Sequence, residues 1–271
     1  MNKLITPYAI SFGRAKGRAS KPNVIIKHFA DGESYVQIPA KTKGKATIYH
    51  RLYPEPEKRL FELLLILSKV QNAEVFIPYL PYARQDRENK KGEAVSADVL
   101  CKLLKNAGVK KLITYDCHFL PRTGKFKRAG LLIENLSAGP VLYKHAKKYF
   151  KNESFVLISP DEGASYFTEN AKRHQGHYFR LEKKRQAHNE VKHVKGEVNV
   201  HGRNVCILDD IIDTGGTIRR AIEHLKQNGA KKIIVGATHG IFSKGRIKEA
   251  DLIFTTDSIP NYASLLNLEI W

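Results

Sequence analysis

The chain of 271 residues is 42% hydrophobic and 27% charged, the balance of a soluble globular protein with material for one large domain or two of ordinary size. Its 46 Lys and Arg against 27 Asp and Glu leave a net charge of +19, but the cations are spread along the sequence without an arginine-rich tail, so an anionic small substrate accounts for them better than nucleic acid. No stretch reaches the roughly 20 apolar residues of a membrane helix, no signal-peptide pattern is present, and Cys101, Cys117 and Cys206 are odd in number and far apart, which predicts free thiols in a reducing, cytoplasmic setting.

In chain order, β-prone runs come first at residues 4–10, 24–28 and 34–38. The last two are joined by Phe29-Ala-Asp-Gly-Glu33, where Asp-Gly signals a tight turn. A short strand is predicted at 46–50, and residues 56–71 have helical periodicity with Leu60, Leu63, Leu64 and Leu67 on one face. A buried strand at 75–79 precedes a polar loop at 84–95. A helix capped by Ser96 then runs to Gly108, and a strand follows at 111–115. The composition shift Asn135-Leu-Ser-Ala-Gly-Pro140 reads as a linker, which divides the chain into domains 1–137 and 138–271. The second half repeats the rhythm: helix 141–150, strand 155–159, helix 163–173, strand 177–181, a charged loop, strand 205–208, helix 218–228, and strands at 232–238 and 252–255. Strands alternating with helices predict α/β architecture with mainly parallel sheets flanked by helices.

The chemistry concentrates after the strand at 205–208. Asp209 and Asp210 stand where that strand would leave the sheet, and Asp213-Thr-Gly-Gly-Thr217 leads into a helix. Small residues before a helix N-terminus present backbone N–H groups and the positive end of a dipole, which suits a phosphate. The carboxylates upstream can accept hydrogen bonds from vicinal hydroxyls or hold a metal ion. A phosphorylated sugar satisfies both features, and neither of the two common nucleotide loops occurs in the chain.

Other polar loops follow predicted strands. Pro81-Tyr-Ala-Arg-Gln-Asp-Arg87 offers a guanidinium fork and an amide; a structural salt-bridge role suits it equally well. Tyr115-Asp-Cys-His118 and Ser159-Pro-Asp-Glu-Gly163 put an imidazole and a carboxylate at two strand ends, where they could share a metal ion or serve the loops themselves. No further cysteine stands at zinc spacing from Cys117-His118.

The stretch around Asp209–Thr217 resembles the ribose-phosphate motif of the type I phosphoribosyltransferase superfamily. The motifs together, from Phe29 to Pro260, resemble the ribose-phosphate pyrophosphokinase family (phosphoribosyl pyrophosphate synthetases), and are closest in character to its shorter archaeal-type members. They include Phe29–Glu33, Pro81–Arg87, Gly92-Glu-Ala-Val-Ser96, Asp116-Cys-His118, Ser159-Pro-Asp161, Lys183-Lys-Arg185, Asn189-Glu-Val191, Asp209–Thr217 and Thr238-His-Gly-Ile-Phe-Ser243.

The resemblance implies two phosphoribosyltransferase-type domains with the active site between them. It also implies transfer of the ATP β,γ-diphosphoryl group to the anomeric hydroxyl of ribose 5-phosphate, releasing AMP. Asp209 and Asp210 would bind ribose hydroxyls, while Asp213, Thr214, Gly215, Gly216 and Thr217 would hold the 5-phosphate. Arg84, Gln85 and Asp86 would contact ATP, and Phe29, Asp31 and Glu33 would surround adenine, contributed by a neighbouring copy in a homo-oligomer, at least a dimer. His118 and Asp161 would flank Mg2+ bound to ATP. Lys183 and Arg185 would stabilise charge in the transition state from a loop at 182–195 with little apolar surface to dock, expected to be mobile without substrates. Two alternatives remain: a phosphoribosyltransferase that consumes phosphoribosyl diphosphate, and an inactive regulatory homologue. Departures from the family are Phe119-Leu-Pro-Arg-Thr123 after His118, a missing second glycine in Ser159–Ala164, and a chain that stops at Trp271, with no counterpart of the family's C-terminal helix.

Overall fold

The structure is a computed structural model that describes residues 1–9, 21–160, 177–180 and 199–268. The chain divides into two compact units, Met1–Leu136 with Asn267 and Leu268, and Ser137–Leu266. In the first, β1 (Asn2–Ile5) is followed by a hairpin of β2 (Ile25–His28) and β3 (Ser34–Gln37), then β4 (Lys45–Tyr49), α1 (Pro56–Leu67), β5 (Gln71–Phe76), α2 (Ser96–Asn106), β6 (Val109–Tyr115), β7 (Gly124–Arg128) and β8 (Leu131–Leu136). The main sheet has the order β1-β4-β5-β6-β8-β7 and is parallel except for the β7–β8 pair. β2 and β3 form a separate two-stranded sheet.

Alternation explains the packing. Ala46 and Ile48 of β4, Ala73 and Val75 of β5, and Leu131 and Ile133 of β8 point into one core, against Leu63, Ile66 and Leu67 of α1 and Leu100 and Leu104 of α2. On β5, β6 and β8 charged residues interrupt the strands, and there Lys111 Nζ lies 3.3 Å from Glu74 and 3.1 Å from Glu134.

Several predicted elements shift. The strand expected at 4–10 stops at Ile5, because Pro7 has no N–H to continue a ladder. The helix expected to reach 71 ends at Leu67, and β5 starts at Gln71 and ends at Phe76, two residues before Pro78. Ser96 does not cap α2: Val95 takes that position, and the Ser96 hydroxyl donates to the Tyr82 carbonyl at 3.2 Å. The expected linker is partly strand, since Asn135 and Leu136 belong to β8 and the next helix begins at Gly139. The β7–β8 hairpin itself was not expected. Its two-residue turn, Ala129-Gly130, has φ of +47° and +80° at its two positions, the pattern of a type I′ turn.

The second unit holds α3 (Gly139–Tyr149), β9 (Phe155–Ser159), β10 (His177–Arg180), β11 (Asn204–Ile212), α4 (Gly216–Gln227), β12 (Lys232–Gly240), β13 (Leu252–Thr256) and β14 (Ser264–Leu266). Its sheet, in the order β10-β9-β11-β12-β13-β14, is parallel throughout. Val156, Ile158, Val205, Ile207, Ile233 and Val235 pack on Ile218, Ala221, Ile222 and Leu225 of α4. From α3, the Tyr143 ring meets Phe155 at 5.5 Å and the His145 ring meets Phe254 at 4.7 Å between centroids. A Cβ on Gly236 would lie 2.5 Å from the Phe254 ring, so this close approach requires glycine. The helix expected at 163–173 lies outside the described residues, and β14 extends the sheet beyond the expected last strand.

Two predictions follow from the first unit. Ala129 occupies left-handed backbone that costs an L-residue roughly 1–2 kcal/mol, whereas asparagine tolerates it. Ala129→Asn should raise stability by about 0.5–1 kcal/mol, measured by chemical denaturation. His50 is fully buried between Thr6 and the Arg59 carbonyl, 2.9 Å from its Nε2, so Nε2 carries the proton in the neutral ring. Burial pushes its pKa down from 6.5 to about 4, opposed by the Arg59 carbonyl and Glu62. The folded value lies below the unfolded one, so this contribution is complete above pH 6.5 and lost as pH falls toward about 4. Its size is about 3 kcal/mol. The denaturation midpoint should fall across that window, and His50→Asn should flatten that part of the profile.

Candidate functional site

In the second unit β11 runs four residues past its predicted end, so Asp209 and Asp210 lie within the paired strand. Asp209 faces Ala237 in the register and Ile211 faces His239. Both carboxylates are largely buried, 6% and 7% exposed. Asp209 accepts the Asp210 N–H at 2.9 Å, and Asp210 accepts the Ile211 N–H at 2.8 Å, which fixes each carboxylate against its own backbone.

Asp213–Gly215 connects β11 to α4, and Gly215 is the N-cap in left-handed backbone, φ +76°. A Cβ there would lie 2.8 Å from Ile247 Cδ1 and 3.0 Å from Arg219 Nη1. Gly215 has no side chain to cap the helix, the Thr214 hydroxyl oxygen accepts the Gly216 N–H at 3.3 Å, and the next N–H groups of the first turn have no carbonyl of their own helix to bind. The loop is braced from outside. The Ser243 hydroxyl donates to Asp213 at 2.6 Å, and Arg219 donates to the Thr214 carbonyl at 2.8 Å, to the Arg246 carbonyl at 3.1 Å and to Glu249 at 3.2 Å. Nearby, Ser258 donates to the Thr238 carbonyl at 2.8 Å, so its oxygen accepts from Nδ1 of His239, also 2.8 Å away. This assembly matches an anion cradle beside two fixed carboxylates.

In the first unit Arg84, Gln85 and Asp86 occupy the loop after β5, with Arg84 exposed. Glu93 organises this loop: one of its oxygens accepts the N–H groups of Asn89 at 2.9 Å and Lys90 at 3.2 Å and the Gln85 amide at 3.2 Å. The backbone N–H groups of Asn89 and Lys90 hold the Glu93 carboxyl below its usual range. Gln85 also donates to the Arg87 carbonyl at 2.9 Å. Both amide hydrogens are thereby engaged, which leaves its carbonyl oxygen to accept from a ligand.

After β6, Asp116 is buried with φ +38°, and His118 is exposed. Asn135 braces that loop, accepting the Cys117 N–H and donating to the Arg122 carbonyl, each at 2.9 Å. β5 and β6 are adjacent, Phe76 opposite Ile113, so the Arg84 and His118 loops rise from neighbouring strands.

Phe29, Asp31 and Glu33 sit on the exposed tip of the β2–β3 hairpin. Phe29 and Glu33 close it by a 2.9 Å backbone bond, Gly32 takes φ +93°, and Asp31 accepts the Glu33 N–H at 3.0 Å. The hairpin is anchored on both sides of the tip by one buried carboxylate. Glu62 of α1 accepts from His28 at 2.9 Å and from Ser34 at 3.3 Å, and Tyr8 donates to the same oxygen at 3.3 Å. Asp161, Lys183, Arg185 and the 182–195 loop lie outside the described residues.

The structure therefore gathers Asp209–Thr217 into one site in the second unit and sets Arg84–Asp86 beside the His118 loop in the first. Sequence reasoning missed the braces Glu62, Glu93, Asn135, Arg219 and Ser243. Of these, Glu93 and Ser243 carried a signal, inside the Gly92–Ser96 and Thr238–Ser243 motifs, without a role.

Residues 18–108 match the family model described as the N-terminal domain of ribose phosphate pyrophosphokinase, and residues 137–260 match the phosphoribosyl transferase domain. Ribose-phosphate pyrophosphokinase of Pyrococcus furiosus is 34% identical over 268 residues, covering 94% of this chain and 93% of that protein. The enzyme of Methanopyrus kandleri is 33% identical over 86% of this chain and 82% of its own length, and that of Thermococcus kodakarensis 34% over 90% and 89%. Among solved structures, phosphoribosylpyrophosphate synthetase from Mycobacterium smegmatis shares the fold, with TM-score 0.80, 24% identity, and coverage of 100% of this chain and 95% of that one.

The cradle can be tested directly. Gly215→Ala puts a Cβ into left-handed backbone and against Ile247, which should cost about 1–2 kcal/mol of stability. It should also weaken inorganic phosphate binding, followed by calorimetry, because the loop must shift. Unchanged stability and phosphate affinity would show that the tight approach does not shape the cradle.

Proposed function

This chain belongs to the ribose-phosphate pyrophosphokinase family, and from that premise we propose that it transfers the β,γ-diphosphoryl group of ATP to the 1-hydroxyl of ribose 5-phosphate, giving 5-phosphoribosyl 1-diphosphate and AMP. The match of residues 18–108 to the N-terminal domain carries the choice. A phosphoribosyltransferase that consumes phosphoribosyl diphosphate would account for the second unit but leaves the first without a task.

In this reading Asp213–Thr217 hold the 5-phosphate through backbone N–H groups and the helix dipole, while Asp209 and Asp210 accept from the ribose hydroxyls. Their pre-set carboxylates and braced loop would orient the attacking O1, the main contribution a protein makes to such a transfer. O1 bonds to the β-phosphorus and gives its proton to water, as the bond from that phosphorus to the α,β-bridging oxygen breaks and the electron pair leaves with AMP. Arg84, the Gln85 carbonyl and Asp86 would bind ATP, and Phe29, Asp31 and Glu33 the adenine, supplied to a second copy in a homo-oligomer.

Mg2+ suits the residues present. Among the described residues no three carboxylate, imidazole or thiolate side chains converge, and magnesium usually keeps waters and is held largely by substrate phosphates. His118 and Asp161 would stand beside it, where the ion would offset the negative charge of the transferring group. Lys183 and Arg185 would stabilise charge that grows toward the transition state. A cytoplasmic setting goes with three buried, unoxidised cysteines, and no described helix is long and apolar enough to cross a membrane.

Incubation with Mg2+, ATP and ribose 5-phosphate should release AMP and a 1-diphosphate visible by phosphorus NMR; no AMP rejects the proposal. Lys183→Ala should lower kcat roughly 100-fold or more, with the KM for ribose 5-phosphate little changed, because a donor realised in the transition state is lost while the phosphate cradle is intact. A near-normal kcat would leave the 182–195 loop as a solvated charge run.

A further inference from the structure

The unexpected β7–β8 hairpin carries Arg128 at the first foot of its turn, and this one side chain reaches three segments. Its Nε donates to Asp98 in the first turn of α2 at 2.7 Å. A terminal nitrogen donates to the backbone carbonyl of Asp86, and the guanidinium stacks over the Phe119 ring, 4.3 Å from the centroid. Asp86 belongs to the Arg84–Asp86 loop, and Phe119 follows His118 directly. We infer that Arg128 is a positioning residue that fixes the separation between the ATP-contacting loop and the loop bearing His118, an inference that rests on the function proposed above.

The chemistry of the side chain supports this assignment. A guanidinium presents its donors in one rigid plane and its face to an aromatic ring, so a single group can hold two edges and one stack at once. The two other braces of these loops each act within one loop: Glu93 ties residues 85 to 93, and Asn135 ties Cys117 to Arg122. Arg128 joins the two loops. Phe119, a departure from the family's small and polar residues at this point, finds its partner here. The pair with Asp98 contributes little to stability, because that carboxylate is 43% exposed. What Arg128 supplies is geometry, and transfer depends on geometry to within a fraction of an ångström.

Steady-state kinetics on Arg128→Lys and Arg128→Met test it, with Arg84→Ala in parallel. Lysine keeps the charge but has neither the planar fork nor the stacking face. Both Arg128 variants should raise the KM for ATP roughly tenfold, the scale of one charge-assisted hydrogen bond, and raise the Mg2+ concentration needed for half-activation. The KM for ribose 5-phosphate should stay within about twofold of the parent, since its cradle lies in the other unit. Circular dichroism checks that Arg128→Lys is folded. A folded Arg128→Lys with a parental KM for ATP overturns the inference, as does an equal rise in KM for both substrates, which marks a general structural role. If Arg84→Ala also leaves the KM for ATP unchanged, the ATP-loop reading fails; if Arg84→Ala raises it while Arg128→Lys does not, only the positioning role fails.

Discussion

Parallel pairing forces neighbouring strands to leave a sheet at the same edge, and in this chain that constraint decides where chemistry can gather. In the first unit it brings the loops after β5 and β6 side by side, because Phe76 and Ile113 are partners. In the second, β11 lies between β9 and β12, so Asp209 and Asp210 emerge beside Ala237 and His239. A hairpin at either place would have turned the next loop to the opposite edge. The one antiparallel pair of the main sheets, β7–β8, does return the chain, and its return sets Arg128 against the neighbouring loops.

The alternation of strands and helices made the α/β class readable, and the positions of most helices followed from their apolar faces. What escaped has physical causes. The β7–β8 turn is Ala129-Gly130, without the Asn or Asp that normally announces left-handed backbone, and Lys125, Lys127 and Arg128 hide the apolar alternation of an edge strand. Asn135 read as linker composition, yet it is 1% exposed and its amide links Cys117 to Arg122. Composition cannot tell an amide that breaks a helix from one buried as a brace. Of the candidate site, the Asp209–Thr217 segment was visible because its chemistry is contiguous in sequence. Glu62 was not, because its partners His28 and Ser34 lie 34 and 28 residues away.

Acidic residues are scarce here, 27 against 46 cations, and several of them brace the fold. Glu62 anchors a hairpin, Glu93 organises a loop, Asp98 and Glu249 hold arginines, and Asp251 accepts the Ile233 N–H at 2.7 Å. A hydrogen bond from an N–H leaves a carboxylate's charge in place, so these groups brace the backbone and still count in the net charge of +19, a field that raises the local concentration of anionic substrates.

The same economy operates at the phosphate cradle. A loop of small residues has no apolar surface with which to hold its shape, so its geometry must come from hydrogen bonds made by its neighbours. Arg219 supplies one of them, to the Thr214 carbonyl, and its other two bonds anchor it to the Arg246 carbonyl and to Glu249. A neutral side chain could brace the carbonyls equally well. The guanidinium does more, because it ties Thr214 at once to the Arg246 carbonyl and to Glu249, and that carboxylate offsets its charge. The attraction for an anion at the α4 N-terminus therefore comes from the backbone N–H groups and the helix dipole rather than from the brace.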